Sequence, residues 1–193
     1  MKAAADELEH EAAALYTGYE RSLNAYQAVD FDDLIRLPVK LFSNDEIAAE
    51  RWRSRLWHLL VDEYQDTNRC QYRLVQLLTQ GRDSFTAVGD DDQSIYAWRG
   101  ADAANLQALK HDYPALKVIK LEQNYRSTTR ILKAANALIA HNPKTFEKRL
   151  WSDYGLGDPI RVRACKDGDE EAEAVVSQLA AHKFSSGAAF SDY

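Results

Sequence analysis

Short apolar runs alternate with segments of helical periodicity along most of this chain, and no other feature restricts its fold as strongly. The predicted strands are residues 57–61, 84–88, 117–121 and 160–164. Apolar runs this short, each followed by a helix, are typical of a parallel sheet built from strand–helix–strand units. The sequence therefore predicts an α/β fold in which helices flank a parallel sheet.

Apolar residues at spacings of three and four identify an amphipathic helix at residues 8–26. Other helices are predicted at residues 31–42, 70–78, 103–110, 128–140 and 170–182, with a further one that ends near Arg53. Ser43 and Glu46 resemble a capping box that begins this further helix. Pro38 is expected to bend or interrupt the helix before it, because proline lacks the N–H that a helix interior needs. A domain boundary is expected near residues 114–120.

Composition excludes several classes of protein. No run of about 18 apolar residues could span a membrane, and the first residues are too acidic for a signal peptide. Cys70 and Cys165 lie far apart with no Cys-x-x-Cys pair, so we expect reduced thiols in a cytoplasmic protein.

The net charge of −6 is unevenly distributed. Residues 1–33 carry two Lys or Arg against eight acids, whereas residues 110–150 carry nine Lys or Arg against three acids. An acidic chain can therefore still present a basic surface to nucleic acid. Ordinary solvated helix faces explain the same asymmetry, and charge alone does not distinguish the two interpretations.

Two adjacent carboxylates, Asp62 and Glu63, directly follow the first predicted strand. In phosphoryl-transfer sites one carboxylate holds Mg²⁺, and a second can polarise the attacking water. An acidic turn after a strand is also common in proteins without any such site. These two residues alone leave both interpretations open.

Polar clusters also follow the next two predicted strands, in residues 88–101 and 121–128. Because the carboxyl ends of parallel strands meet at one edge of a sheet, the three clusters are expected to converge there. Solvated loops would not be expected to produce three such clusters in this order.

The three clusters resemble motifs II, III and IV of the UvrD/Rep/PcrA family of superfamily 1 DNA helicases. The similarity extends over residues 30–180, and residues 30–34 and 146–151 also resemble family segments. The resemblance implies an incomplete RecA-like (P-loop NTPase) parallel sheet with flanking helices, followed by the start of a second RecA-like domain. The implied domains are the end of an inserted helical subdomain, the later half of the first motor domain and the start of the second, at residues 1–29, 30–116 and 117–193.

The resemblance also implies roles for single residues around ATP and Mg²⁺. Asp62 matches the carboxylate that binds Mg²⁺, and Glu63 matches the one that activates the hydrolytic water. Gln93 matches the glutamine that contacts the γ-phosphate and relays its presence to the DNA groove. Arg126 matches the arginine that stabilises charge developing on the γ-phosphate, and Tyr125 matches the aromatic residue that stacks on adenine.

Tyr96, Trp98 and Arg99 are the candidate DNA-binding residues. Two aromatic rings and a cation on an exposed segment form a platform on which unpaired bases can stack, whatever their sequence. A single tryptophan is more often a core residue, but its neighbours and the family match favour DNA. The implied partners are single-stranded and duplex DNA, with replication or repair proteins as further candidates.

The eight glycines include no Gly-x-x-x-x-Gly-Lys-Ser/Thr loop, which wraps the phosphates of ATP in this family. The resemblance implies an intact protein that uses ATP to move 3′-to-5′ along single-stranded DNA and to unwind duplex in replication or repair. We expect this chain to be an internal, truncated or defective piece of it, with little or no ATP turnover. Two alternatives stay open: a non-enzymatic DNA-binding module derived from a helicase scaffold, and a relative of the helicase–nucleases.

Overall fold

The computed structural model describes residues 2–82 and 84–193. Their contacts divide the chain into two compact units. The first unit comprises Met1–Leu121 with Ile139–Arg149, and the second comprises Glu122–Leu138 with Leu150–Tyr193. Among the described residues, no helix combines the length and the apolar character needed to cross a membrane.

All seven predicted helices are present among the described residues, with shifted ends. They are α1 (Lys2–Ala25), α2 (Asp33–Asn44), α3 (Glu46–Arg53), α4 (Arg69–Thr79), α5 (Ala104–Asp112), α6 (Thr129–Ile139) and α7 (Gly168–Ser186). Short 3₁₀ turns lie at Tyr64–Asp66, Asp91–Gln93, Ala97–Arg99 and Phe190–Asp192. Each of these seven helices therefore lies where the sequence predicted one.

One local prediction about the helices was wrong, and a second was wrong in part. The predicted cap Ser43 lies inside α2, and α3 is instead capped by Asp45, whose side chain accepts the Ala48 N–H at 2.9 Å. Asp45 has extended backbone angles, as an N-cap residue requires. Of the two outcomes expected at Pro38, an interruption does not occur: α2 continues past the proline, and its Phe42 packs against Ala49 of α3 and Leu77 of α4.

Strands β1 (Leu59–Val61) and β2 (Phe85–Ala87) form a two-stranded parallel sheet, with α4 in the connection between them. Leu59 pairs with Phe85, and Val61 pairs with Ala87. The apolar run at residues 57–61 predicts a buried strand, and this prediction was wrong in part, because the side chain of Leu60 is 76% exposed. The described part of the chain covers only one face of this sheet.

The predicted strands at residues 117–121 and 160–164 are absent from the structure. Both runs are irregular and keep exposed apolar side chains, among them Ile119, Leu121 and Val162. A parallel strand needs a neighbour to satisfy its N–H and C=O groups. Neither run has such a neighbour within the residues that the structure describes, so the predicted sheet is present only as its β1–β2 pair.

The covered face of the sheet packs against α5. The side chain of Tyr64, three residues after the end of β1, is completely buried in a cluster with Leu106 and Leu109 of this helix. Its burial raises the pKa of the phenol above the usual value. A second core cluster joins α2, α3 and α4 through Phe42, Ala49 and Leu77. The first cluster holds the carboxyl ends of the strands in place.

The two faces of the sheet predict opposite sensitivities to truncation. Leu109→Ala removes a buried side chain beside Tyr64 and should lower the free energy of unfolding by about 2–5 kcal/mol. Leu60→Ala, on the exposed face, should change it by less than about 0.5 kcal/mol. Urea unfolding followed by circular dichroism measures both, and equal losses would contradict the packing described.

Candidate functional site

In the segment after β1, exposed carboxylates are followed directly by a buried tyrosine. Asp62 and Glu63 are exposed at the end of the strand, and Asp62 Oδ1 accepts the Glu63 N–H at 2.9 Å. Tyr64 enters the core, and its N–H extends the strand pairing to the Val88 carbonyl at 2.9 Å. Asn68 then caps α4 with a reciprocal capping box. The two carboxylates therefore stand on a loop that is fixed at both of its ends.

Glu63 has a left-handed backbone conformation, with φ 48° and ψ 45°. For a residue with a Cβ this conformation costs about 1–2 kcal/mol, and such strained residues are found most often at functional sites. The strain persists because the bonds on either side of Glu63 determine its backbone. This outlier marks the Glu63 carboxylate as a candidate functional group on structural grounds.

Gln65 connects the two loops that follow the strands. Its side chain is 1% exposed. Its amide Nε2 donates to Glu63 Oε2 at 2.7 Å, and its Oε1 accepts the Asp90 N–H at 3.0 Å. The backbone of Gly89 lies against the same amide, since a Cβ there would approach Gln65 Oε1 to 2.9 Å. Both ends of this buried amide are thus satisfied, as burial requires.

Asp90 carries the link on to Gln93. Its Oδ1 accepts the Asp92 N–H at 3.0 Å, and its Oδ2 accepts from Gln93 Nε2 at 2.8 Å. The 3₁₀ turn Asp91–Gln93 begins directly after it. Glu63 and Gln93, two of the predicted site residues, consequently belong to one hydrogen-bonded network within the first unit.

Two lysines neutralise the carboxylates of this turn. Lys148 Nζ lies 2.6 Å from Asp91 Oδ1 and 3.2 Å from Asp92 Oδ2, and it also donates to Asp90. Lys144 Nζ contacts both oxygens of Asp92, at 2.8 and 2.9 Å. The three carboxylates are close enough together to hold a metal ion, but the ammonium group of Lys148 already bonds to each of them.

The ion pairs also set the charge states of the cluster. Burial disfavours the charged form of Asp90 and of Asp91 and is the largest single effect. The hydrogen bonds from Lys148 and from neighbouring N–H groups, together with the lysine's charge, jointly outweigh it and lower the pKa of both carboxyls below the ordinary value. Burial likewise opposes the charge of Lys148, and its aspartate partners nevertheless raise its pKa. These groups are therefore fully ionised at neutral pH.

Tyr96, Trp98 and Arg99 lie on the surface of the first unit. The Trp98 side chain is 79% exposed, so it is not a core residue. The Tyr96 and Trp98 ring centroids are 6.4 Å apart, and Arg99 Cζ lies 5.5 Å from the first ring and 5.7 Å from the second. Gly100 closes the turn with φ +87°, which suits glycine.

Tyr125 and Arg126 belong to the second unit, and both are exposed. The Tyr125 hydroxyl donates to Gln123 Oε1 at 2.8 Å. The Arg126 N–H donates to Asn124 Oδ1 at 3.0 Å, and Asn124 is itself bonded to the Trp151 carbonyl at 2.7 Å. This hydrogen bonding fixes the turn that carries the two side chains.

Sequence reasoning missed Gln65 and Lys148. Gln65 lies in the same segment as the predicted site residues Asp62 and Glu63. Its position between Tyr64 and the helix cap Asn68 was the one signal in the sequence that could have identified it. Lys148 lies in a segment whose resemblance to the family was noted without any chemistry attached to it. No local pattern pairs it with aspartates 56–58 residues earlier in the chain.

Comparison with known proteins assigns the class. Residues 1–114 match the UvrD/REP helicase N-terminal domain, and residues 119–193 match the UvrD-like helicase C-terminal domain. The chain belongs to the UvrD/Rep helicase family, whose domains imply a RecA-like fold.

Individual relatives agree with this class. The chain is 54% identical to the ATP-dependent DNA helicase Rep of Escherichia coli K12 over 94% of its own length, and 53% identical to Rep of Salmonella typhimurium over the same share. It is 42% identical to the ATP-dependent DNA helicase PcrA of Leuconostoc citreum over its whole length. It spans 26–27% of the length of these relatives.

The contact between Gly89 and Gln65 predicts that Gly89→Ala disturbs the network. The added methyl group should displace the buried amide and lower the free energy of unfolding by about 1–3 kcal/mol. Gly18→Ala is the matched control, since nothing lies within 4 Å of the added Cβ in the middle of α1. It should stabilise the helix by about 0.5–1 kcal/mol. Chemical denaturation compares the variants, and a neutral Gly89→Ala would contradict the close approach.

Proposed function

We propose that this chain is part of an ATP-dependent DNA helicase that translocates 3′-to-5′ on single-stranded DNA and unwinds duplex in replication or repair. The proposal places it in the cytoplasm, with ATP and Mg²⁺ as cofactors. The observation that carries it is the network in which Gln65 and Asp90 join the Glu63 carboxylate to the Gln93 amide. The relatives named Rep and PcrA support the same activity.

The donor set at the end of β1 fits the proposed cofactor. Asp62 and Glu63 offer exposed carboxylate oxygens, which are the ligands that Mg²⁺ prefers. When bound, Mg²⁺ neutralises charge on the phosphate oxygens. We assign Asp62 to hold it. Glu63 would accept a proton from the attacking water, and the hydrogen bond from Gln65 would keep its carboxylate in place.

Gln93 is the proposed contact to the γ-phosphate. Its amide has two N–H groups, one of which donates to Asp90, so the second can donate to a phosphate oxygen. In the second unit we assign Arg126 to stabilise charge on the γ-phosphate and Tyr125 to stack on adenine. Both side chains are exposed, as residues that meet a ligand must be.

The proposed domains follow the same family pattern. Residues 1–29 would end an inserted helical subdomain, residues 30–116 would form the later half of the first RecA-like motor domain, and residues 117–193 would begin the second. The parallel β1–β2 pair within residues 30–116 supports the assignment of the first motor domain.

Low ATP turnover is the first prediction from this proposal. The 193 residues contain no Gly-x-x-x-x-Gly-Lys-Ser/Thr loop, and the lysine of that loop stabilises the transition state. We expect the chain to hydrolyse ATP more than about tenfold more slowly than full-length Rep of Escherichia coli, because catalysis of phosphoryl transfer depends on positioning the phosphates and neutralising their charge, which that loop does. A coupled phosphate-release assay measures this. A rate within that margin that is also abolished by Asp62→Ala would contradict the prediction.

DNA binding by the exposed aromatic residues is the second prediction. Trp98→Ala should weaken binding of a fluorescent oligo-dT by about 5- to 150-fold, since stacking contributes about 1–3 kcal/mol per base. Trp57→Ala, at another exposed tryptophan of the same unit, should leave the affinity unchanged. Fluorescence anisotropy at low salt compares the two. Equal affinities for both variants would contradict the assignment of Trp98.

A second candidate function is a non-enzymatic DNA-binding module built on a helicase scaffold. The exposed Tyr96 and Trp98 rings with Arg99 beside them could serve such a module without any nucleotide. The two candidates differ in the response to nucleotide. A helicase part should bind ATP with Mg²⁺ through Asp62 and Gln93, whereas a binding module should bind oligo-dT with an affinity that ATP does not change.

A further inference from the structure

The turn that carries Gln93 is held together by a lysine from a distant segment. Asp90, Asp91 and Asp92 place three carboxylates within 4.8 Å of one another. Like charges at this separation repel each other strongly in a partly buried site. A cation must therefore lie among them if the turn is to keep its shape.

Lys148 supplies that cation. Its Nζ bonds to all three carboxylates, including Asp90, whose other oxygen holds the Gln93 amide. The Lys148 side chain is 20% exposed, so water screens these ion pairs only partly. One ammonium group thus neutralises the turn and fixes the carboxylate against which Gln93 is oriented.

The position of Lys148 is itself fixed by the segment around it. The Phe146 ring packs against the core cluster of Tyr64, Leu106 and Leu109. The Thr145 N–H donates to Asp91 Oδ2 at 2.9 Å. The backbone that carries Lys148 is therefore already held in place. Only the lysine side chain loses conformational freedom when it pairs with the aspartates.

Lys144 is a natural comparison within the same segment. Its side chain is also 20% exposed, but among the three aspartates it contacts Asp92 alone. It adds charge to the cluster without touching Asp90, the residue that holds Gln93. Substituting Lys144 therefore tests the effect of losing one positive charge, whereas substituting Lys148 also tests the orientation of Gln93.

We propose that Lys148 is a positioning residue that holds the Gln93 amide in the orientation used to contact the γ-phosphate, which rests on the role proposed above for Gln93. It acts through Asp90 and touches no reacting atom. Because Lys148 holds the turn, the Gln93 amide keeps the orientation in which its second N–H can donate to a phosphate oxygen.

The test compares Lys148→Met with Lys144→Met in the 193-residue chain labelled with ¹⁵N. The signals of the Gln93 side-chain amide are assigned by their loss in Gln93→Leu. We expect the Gln93 backbone N–H, which donates to the Asp90 carbonyl at 2.9 Å, to exchange at least about tenfold faster in Lys148→Met. The side-chain amide signals should also shift. In Lys144→Met the exchange rate should change by less than about twofold.

Equal effects of the two substitutions, or no effect of Lys148→Met on Gln93, would overturn the proposal. If Lys148→Met does not fold, Lys148→Gln removes the charge while retaining a polar side chain, and the same expectations apply to it. Adding a non-hydrolysable ATP analogue with Mg²⁺ tests the underlying function separately. Unmoved Gln93 signals in the unsubstituted chain would contradict its contact with phosphate, whereas the exchange rates alone decide the role of Lys148.

Discussion

The buried amide of Gln65 is the constraint on which the arrangement of the site depends. The parallel pairing of β1 and β2 spans only three residues on each side, too few to orient the loops beyond it. Gln65 extends the connection by donating to the Glu63 carboxylate and accepting from the Asp90 N–H. Its two ends are not interchangeable, since a reversed amide would set a donor against the Asp90 N–H and an acceptor against the carboxylate. Burial makes either mismatch expensive, so the amide holds one orientation and both loops with it.

This constraint also accounts for the strained backbone of Glu63. A left-handed glutamate would relax to an ordinary conformation if its side chain and the next N–H were free. Instead, Gln65 holds its carboxylate and the Val88 carbonyl holds the Tyr64 N–H. The strain therefore arises because Glu63 must be exposed while Tyr64, the next residue, must be fully buried. The fold thus holds the exposed Glu63 carboxylate through a hydrogen bond from a buried side chain.

The sequence predicted those features that depend on local pattern. Helices follow from periodicity, and the runs that became β1 and β2 were recognisable as apolar segments before polar loops. The runs at 117–121 and 160–164 have the same character but form no strands, because a strand also requires a partner that local sequence does not reveal. The same limit applies to the site. Asp62, Glu63 and Gln93 could be placed at strand ends, whereas the pairing of Lys148 with Asp91 joins residues 57 positions apart and depends on tertiary packing.

The ion-pair cluster changes what the charge distribution means for DNA binding. Residues 110–150 hold nine basic residues, which a reading of charge alone could assign to a nucleic-acid surface. Lys144 and Lys148 are instead bonded to aspartates, and Lys110 donates to the Thr145 carbonyl while its ammonium lies 4.0 Å from the Phe146 ring. Part of the basic excess therefore stabilises the first unit and is not available to phosphates. The DNA contact proposed for Tyr96 and Trp98 does not depend on these three lysines, since stacking on aromatic rings accepts any base sequence.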